Sequence, residues 1–269
     1  MMKKTIAACI LVAGLSSPAL AAGLNTDVAL TPPKGGTILR GQTRYIRLHN
    51  DPTALGREVD LYLGTVTAVY GVTERLALLG TLRAFHREVD FAAGGGPVDT
   101  GLGDIPLLAK YRFFQKDERG VTTRWALLGG FEVPTFDDTF SSKSLDPIVG
   151  TVWTHQELDW WVDWDLVYKV NTAGGGAGDD ELRADIAYSR RILHGEGGEK
   201  GPWALYVVAE LNAKYITDAS LEVLGSPGIQ YITPRTILEA GIQLPLVSDM
   251  AAPRLETQVA VVFSIRIQF

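Results

Sequence analysis

Residues 255–269 read LETQVAVVFSIRIQF, and this C-terminal stretch decides the fold. Every second position, from Leu255 to Phe269, is apolar except for one threonine, whereas the interleaved positions carry Glu256, Arg266 and three further polar side chains. A repeat of two residues indicates a β-strand with one apolar and one polar face. Strands of soluble proteins average about five or six residues, and a tilted strand needs about 9–11 to cross a bilayer. The stretch therefore predicts a membrane-spanning strand.

The same alternation recurs along the rest of the chain, and no helical repeat of three to four residues competes with it. It predicts twelve strands, at residues 37–48, 58–70, 76–88, 103–115, 121–133, 147–156, 160–171, 180–191, 202–214, 226–232, 236–246 and 254–269. Short connections follow strands 2, 4, 6 and 10, and long connections rich in Gly, Asp or Ser follow strands 3, 5, 7 and 9. Short periplasmic turns, long outer loops and an even strand count are typical of bacterial outer-membrane barrels. We therefore predict an all-β, antiparallel up-and-down barrel with both termini on the periplasmic side.

The N-terminus carries an export signal. Lys3 and Lys4 precede a short apolar run, and the small-residue site Ala19-Leu20-Ala21 follows it, as in a cleaved signal peptide. We expect a signal peptide at 1–21, a short periplasmic segment at 22–36 and the barrel at 37–269. Cys9, the only cysteine, lies in the signal peptide. A formal net charge of -6 without a basic tract argues against nucleic acid as a partner.

The face of each strand that carries the charged side chains is expected to point into the lumen, because a lipid-facing Arg or Lys costs about 2–4 kcal/mol at the bilayer midplane. Two interpretations remain open: the charges line a channel, or they pair across strands and fill the lumen. The predicted lumen-lining residues are Arg40, Arg44, Glu58, Asp60, Arg83, Lys110, Arg112, Arg124, Glu132, Asp163, Asp165, Lys169, Arg183, Asp185, Glu210, Lys214, Glu239, Glu256 and Arg266.

Three stretches resemble a known family. Residues 101–112 (GLGDIPLLAKYR) resemble the Gly-x-Gly-Asp and Lys-Tyr segment of the outer-membrane barrels named for the MetA-pathway of phenol degradation. The turn at 70–76 (YGVTERL) and the stretch at 226–235 (SPGIQYITPR) look like further elements of that family. The resemblance implies a transporter of aromatic or other hydrophobic solutes in the outer membrane of a Gram-negative bacterium. It supplies no catalytic residues.

The histidines do not form a recognisable catalytic or metal set. His49, His86 and His194 fall at strand ends or in a turn, and His155 lies near Glu157 and Asp159 in a polar turn. We therefore expect no enzyme activity, no metal and no cofactor. A lipid-modifying enzyme of the outer membrane and a closed structural barrel are the alternatives to a channel. The expected partners are membrane lipid, a small solute and the barrel-assembly machinery, which would recognise the strand ending at Phe269.

Overall fold

A computed structural model describes residues 23–269, except residues 54, 136, 138, 174–178 and 197–201. The predicted signal peptide at 1–21 therefore lies outside the described residues. Among the described residues, no helix is long and apolar enough to cross a membrane.

The strands form one closed antiparallel sheet. In chain order they are β1 (Thr37–His49), β2 (Glu58–Gly71), β3 (Leu76–Asp90), β4 (Val98–Leu102), β5 (Ile105–Glu118), β6 (Val121–Val133), β7 (Asp146–Gln156), β8 (Trp160–Lys169), β9 (Glu181–His194), β10 (Ala204–Ile216), β11 (Ser220–Ile232), β12 (Thr236–Asp249) and β13 (Glu256–Gln268). Strands pair in chain order, except that β4 and β5 both pair with β3, and β1 also pairs with β13. This last pairing closes the barrel.

β4 and β5 are two parts of one passage through the wall, because both pair with β3. The barrel wall therefore has twelve membrane-crossing strands, here called staves, with β4 and β5 counted as one. This confirms the predicted fold. The largest difference from the predicted strand boundaries is at the start of β11. β11 begins at Ser220 rather than at residue 226, and a turn at 217–219 replaces the long connection predicted between the strands at 202–214 and 226–232. The alternation of β11 is weak over 221–225 because Leu221, Val223 and Leu224 give both faces an apolar character.

The outer surface of the barrel is apolar, as contact with lipid requires. Tyr111, Leu211 and Phe263 are all about half exposed on this surface, and a residue on either side of each points inward. Aromatic rings join across the staves on the periplasmic side, for instance Trp125 with Phe113 and Trp164, at ring-centroid distances of 5.8 and 5.9 Å. Such a band is the aromatic girdle that marks a membrane interface.

Three predicted lumen residues lie on the outward face instead. Glu58 and Asp60 share a face with the exposed Tyr62, and they bind Arg47 and Tyr45 of β1. Both lie at the outer end of β2, where water rather than hydrocarbon surrounds a charge, so the parity rule fails there.

Glu256 faces outward because of a β-bulge in β13. Arg47 pairs with Val259 but Leu48 pairs with Thr257, so Gln258 is the extra residue. An extra residue reverses which side chains face inward. Thr257 is consequently buried in the lumen, and Glu256 accepts a hydrogen bond from Asn50 at the outer rim.

The segment expected on the periplasmic side lies inside the barrel. Residues 23–34, here called the strap, enter at the periplasmic rim, where Gly35 donates a 2.8 Å backbone hydrogen bond to Gly71. From there the strap runs into the lumen, and Leu24, Ala29 and Pro32 are fully buried in it. The prediction of a periplasmic segment at 22–36 is therefore wrong for these residues. The physical reason is that the polar inner wall provides partners for the strap's backbone groups.

Candidate functional site

The remaining charged residues of the predicted lumen set lie on the inner face. Strand pairing places each of them beside another inward residue, as for Arg112 with Ala126, Arg124 with Thr154 and Lys214 with Arg183. The inward set is Arg40, Arg44, Arg83, Lys110, Arg112, Arg124, Glu132, Asp163, Asp165, Lys169, Arg183, Asp185, Glu210, Lys214, Glu239 and Arg266.

Some of these charges pair across the strands. Glu132 binds Arg83 and, at 2.9 Å, Lys169 in the outer half of the lumen. Glu239 binds Arg40 at 2.9 Å and Arg266 at 3.2 Å in the periplasmic half. The second network also contacts the strap, because Arg40 donates a hydrogen bond to the Leu24 carbonyl.

Alternate residues of the strap donate backbone hydrogen bonds to the inner wall. The amide of Asn25 donates to Glu210 at 3.1 Å, that of Asp27 to Asp165 at 2.6 Å and that of Ala29 to the Thr154 hydroxyl at 3.0 Å. A spacing of two is that of extended backbone. The barrel wall therefore binds the strap backbone through side chains, whereas in a sheet the backbone of a neighbouring strand would bind it.

Lys110, on β5, fixes the middle of the strap through its side chain. Its ammonium group is buried and donates to the Asp27 carboxylate at 2.9 Å and to the Val28 carbonyl at 2.8 Å. A buried lysine requires such partners, because an unpaired charge in this environment is costly.

Leu24 occupies a slot formed by two glycines. A Cβ atom at Gly228 or Gly241 would lie 2.5 or 2.3 Å from the Leu24 Cδ1 atom, which is closer than real Cβ contacts allow. The Leu24 carbonyl accepts hydrogen bonds from Arg40 and, at 3.1 Å, from Gln42. The side chain and the backbone carbonyl of Leu24 together hold this end of the strap in place.

Next to Leu24, the side chain of Asn25 joins two opposite charges of the wall. Its Oδ1 accepts a hydrogen bond from the Arg44 guanidinium group, and its Nδ2 donates to Glu210 Oε2 at 3.0 Å. Within the part of the chain that the structure describes, neither Arg44 nor Glu210 forms an ion pair with another residue. Asn25 is therefore the link between them.

Acidic residues form an arc on β8, β9 and β10, beside Asn25 and Asp27. Asp163 and Asp165 are almost completely buried, and each has one carboxylate oxygen without a hydrogen-bond partner among the described residues. Asp185 accepts from Asn212 at 3.1 Å, and Arg183 lies 3.5 Å from Asp185. The arc can therefore accept further hydrogen bonds from N–H donors, at Asp163 and Asp165.

The described residues of the loop at 134–145, which are all except 136 and 138, lie at the outer mouth of the barrel. Phe140 stacks on the inward-facing Phe85 at a centroid distance of 5.1 Å, and the Arg87 guanidinium lies 5.3 Å from the Phe140 ring. Asp104 caps the loop by accepting from the amides of Thr135 and Ser142 at 3.0 and 2.7 Å.

The Gly-x-Gly-Asp stretch has a structural role at this loop. A Cβ at Gly101 would lie 2.0 Å from Asp137, and one at Gly103 would lie 2.4 Å from Phe85. Gly101 thus leaves room for the loop, Gly103 leaves room for the Phe85 ring of β3, and Asp104 holds the loop at the break between β4 and β5.

The histidines lie apart from this site. His86 contacts Thr100 and Glu88 on the outer face, and His155 contacts Thr123 at 2.8 Å near the periplasmic rim. Among the described residues, no three His, Cys, Asp or Glu side chains are grouped so that they could hold a metal ion.

No protein-family model and no curated protein sequence matches this chain. Its fold is similar to that of the COG4313 outer membrane channel from Pseudomonas putida F1, with a TM-score of 0.58 and 13% identity, over 93% of this chain and 100% of that one. It is also similar to the β domain of the Bordetella autotransporter Brka, with a TM-score of 0.53 and 12% identity, over 88% of this chain and 100% of that one. The CymD monoaromatic hydrocarbon channel aligns with a TM-score of 0.44 and 10% identity, over 88% of this chain and 89% of that one. At these identities the likeness shows the fold, a transmembrane β-barrel.

Proposed function

We propose that this protein is a channel for small solutes in the outer membrane of a Gram-negative bacterium. The observation that carries the proposal is the combination of a closed barrel, an apolar outer surface and an inner wall lined with charged side chains. A barrel that served only as a structural element could fill its interior with apolar side chains. Charges in the interior are costly unless they meet water, a counter-charge or a solute.

The strap makes this a channel with an obstruction in its periplasmic half. The strap's backbone amides donate hydrogen bonds to Glu210, Asp165 and Thr154, and in each case the acceptor is a side chain of the wall. No strap backbone group pairs in a β-ladder with the barrel, so the strap can leave without breaking the wall. We propose that solutes pass when the strap moves toward the periplasmic rim, where Gly35 is tied to Gly71.

We also propose that the chain is related to the barrels named for the MetA-pathway of phenol degradation, with aromatic or hydrophobic compounds as a solute class. The support is the sequence resemblance at 101–112 and the role of its glycines and Asp104 in holding the outer loop. Recognition by the barrel-assembly machinery through Phe269, which is exposed at the end of β13, belongs to the same proposal.

Planar-bilayer recording tests the channel. We expect discrete conductance steps that become larger or more frequent in variants that loosen the strap, such as Lys110→Met. Silence in the wild type and in every strap variant, with heat-modifiable gel mobility showing folded barrels, would remove the channel proposal. Lipid hydrolysis by the same preparations would favour the enzyme alternative. Fractionation with the outer membrane is expected, and a protein that stays soluble without detergent would contradict the membrane assignment.

A further inference from the structure

We infer that Arg44 and Glu210 form a binding site for a small dipolar solute, such as a free amino acid or a primary carboxamide, and that Asn25 of the strap occupies this site as a built-in ligand. The inference rests on the proposed channel function, since the site lies inside the lumen. It names the solute class at this level of the barrel.

The two charged residues hold opposite sides of one small gap. Arg44 projects from β1 and Glu210 from β10, and the gap between them is closed by the Asn25 carboxamide. Its oxygen faces the cation and its nitrogen faces the carboxylate, so the amide dipole is aligned with the field between the two charges. The Asn25 backbone amide adds hydrogen bonds of 3.2 and 3.1 Å to the two oxygens of Glu210.

A ligand that replaces Asn25 must satisfy both charges. Glu210 is almost completely buried, and the Nε atom of Arg44 is buried without a hydrogen-bond partner among the described residues. An apolar ring in this place would leave both charges unpaired in a poorly hydrated environment, which is strongly unfavourable. A carboxylate or amide oxygen at Arg44, together with an ammonium or amide nitrogen at Glu210, would satisfy both.

The surroundings favour the same orientation. Asp163 Oδ2 and Asp165 Oδ1, which accept no hydrogen bond among the described residues, belong to the acidic arc that includes Glu210, and Arg183 lies 3.8 Å from Asp165 Oδ1. An ammonium group at Glu210 is attracted by this arc, and a carboxylate at Arg44 lies on the side of the lumen that carries Arg40 and Arg266. The side-chain hydrogen bonds of Asn25 have one ionised partner each, whereas those of a zwitterion would be ion pairs at both ends and would add the attraction between opposite charges. A zwitterion can therefore compete with the tethered carboxamide.

Glycine, the smallest zwitterion, is the probe, and its binding to the full-length protein in detergent can be followed by calorimetry. We expect Asn25→Ala to bind glycine at least tenfold more tightly than the wild type, because the competing side chain is gone. Adding Arg44→Gln or Glu210→Gln should abolish that gain, since each removes one end of the site. Lys214→Gln, which removes a lumen charge that does not contact Asn25, serves as the matched control and should keep it.

The site assignment is wrong if folded Asn25→Ala fails to bind glycine, or if glycerol of similar size binds equally well. It is also wrong if both charge-removing variants, shown to be folded by heat-modifiable mobility, bind as tightly as Asn25→Ala. Bilayer recording separates this outcome from failure of the channel. Glycine binding without conductance in any variant would overturn the channel and keep the site, whereas conductance without glycine binding would do the reverse.

Discussion

Gly228 and Gly241 pair directly across β11 and β12, and together they form the inward slot that receives Leu24. Neither glycine is needed for its backbone conformation, since both lie in regular strand. Their small size serves the strap, because any side chain here would occupy the position of the Leu24 methyl group.

The slot gives a direct test of the strap. We expect Gly241→Val to displace Leu24 and increase conductance, because even a Cβ at this position would lie 2.3 Å from Leu24 Cδ1. Gly129→Val is the matched control, since Gly129 has open space around its Cβ position on the outer face. Equal conductance of both variants and the wild type would show that Leu24 does not hold the strap.

A second prediction concerns Lys110. Lys110→Met should leave the Asp27 carboxylate and the Val28 carbonyl without their shared donor, which weakens strap binding by about 1–3 kcal/mol. We expect faster cleavage of the strap by a non-specific protease added on the periplasmic side, as read from the N-terminal sequence of the product.

A matched variant separates the charge from the packing. Lys110→Met combined with Asp27→Asn removes the unpaired carboxylate, so the double variant should resist the protease better than Lys110→Met alone. If the double variant is cleaved as fast as the single one, the ion pair does not contribute to holding the strap.

The assignment of alternate residues to the lipid-facing surface can be tested at Leu211, which is about half exposed and follows the inward Glu210. Leu211→Arg should reduce barrel stability by about 2–4 kcal/mol if the position lies near the bilayer midplane. Urea unfolding in liposomes measures this change, with Leu211→Met as the control of similar volume. An arginine variant as stable as the control would contradict the assigned face.

The outer loop should respond to acid. Hydrogen bonds from the backbone amides of Phe140 and Thr139 lower the pKa of Asp137, which lies in the loop outside the barrel wall. A lowered pKa in the folded state means that Asp137 stabilises the loop at any pH above about 3.9, its value in an unfolded chain. This contribution is lost as the pH falls through the lower folded value.

We therefore expect the outer mouth to open when the pH falls below about 4, the pKa of Asp137 in an unfolded chain. Larger conductance fluctuations would report this opening. Asp137→Asn should show the same fluctuations at pH 7, while Glu157→Gln, an exposed carboxylate near the opposite rim, should not. A pH-independent record in the wild type would show that Asp137 does not hold the loop.

The sequence predicted the barrel well because lipid enforces a strict alternation in the middle of each stave. Phe263, Ile265 and Ile267 could face only lipid once Arg266 was inward. The same rule failed at the rims, where Glu58 is solvated on the outer face and where the bulge at Gln258 reverses the parity of Glu256. The bulge left no mark on the hydrophobic pattern, because Glu256, Thr257 and Gln258 are all polar.

The strap could not be found by the same reasoning. Residues 23–34 read GLNTDVALTPPK, a short segment of mixed polar and apolar residues, and its binding depends on side chains far along the chain. Asn25 and Glu210 are 185 residues apart in sequence. Only Leu24 and the two glycines of its slot offered a hint, and glycine in a strand more often marks a bulge or a bend.

The position of the strap affects how the barrel can be assembled. Its first contacts, from Leu24 and Asn25 to Arg40, Gln42 and Arg44, join residues that lie only 16 to 19 positions apart, so they cost little chain entropy to form. The opposite edge of β1 forms the seam with β13, which closes last in chain order. We therefore expect the strap and β1 to form a unit early, against which the later strands assemble. Cargo fused ahead of residue 23 would have to be enclosed with it.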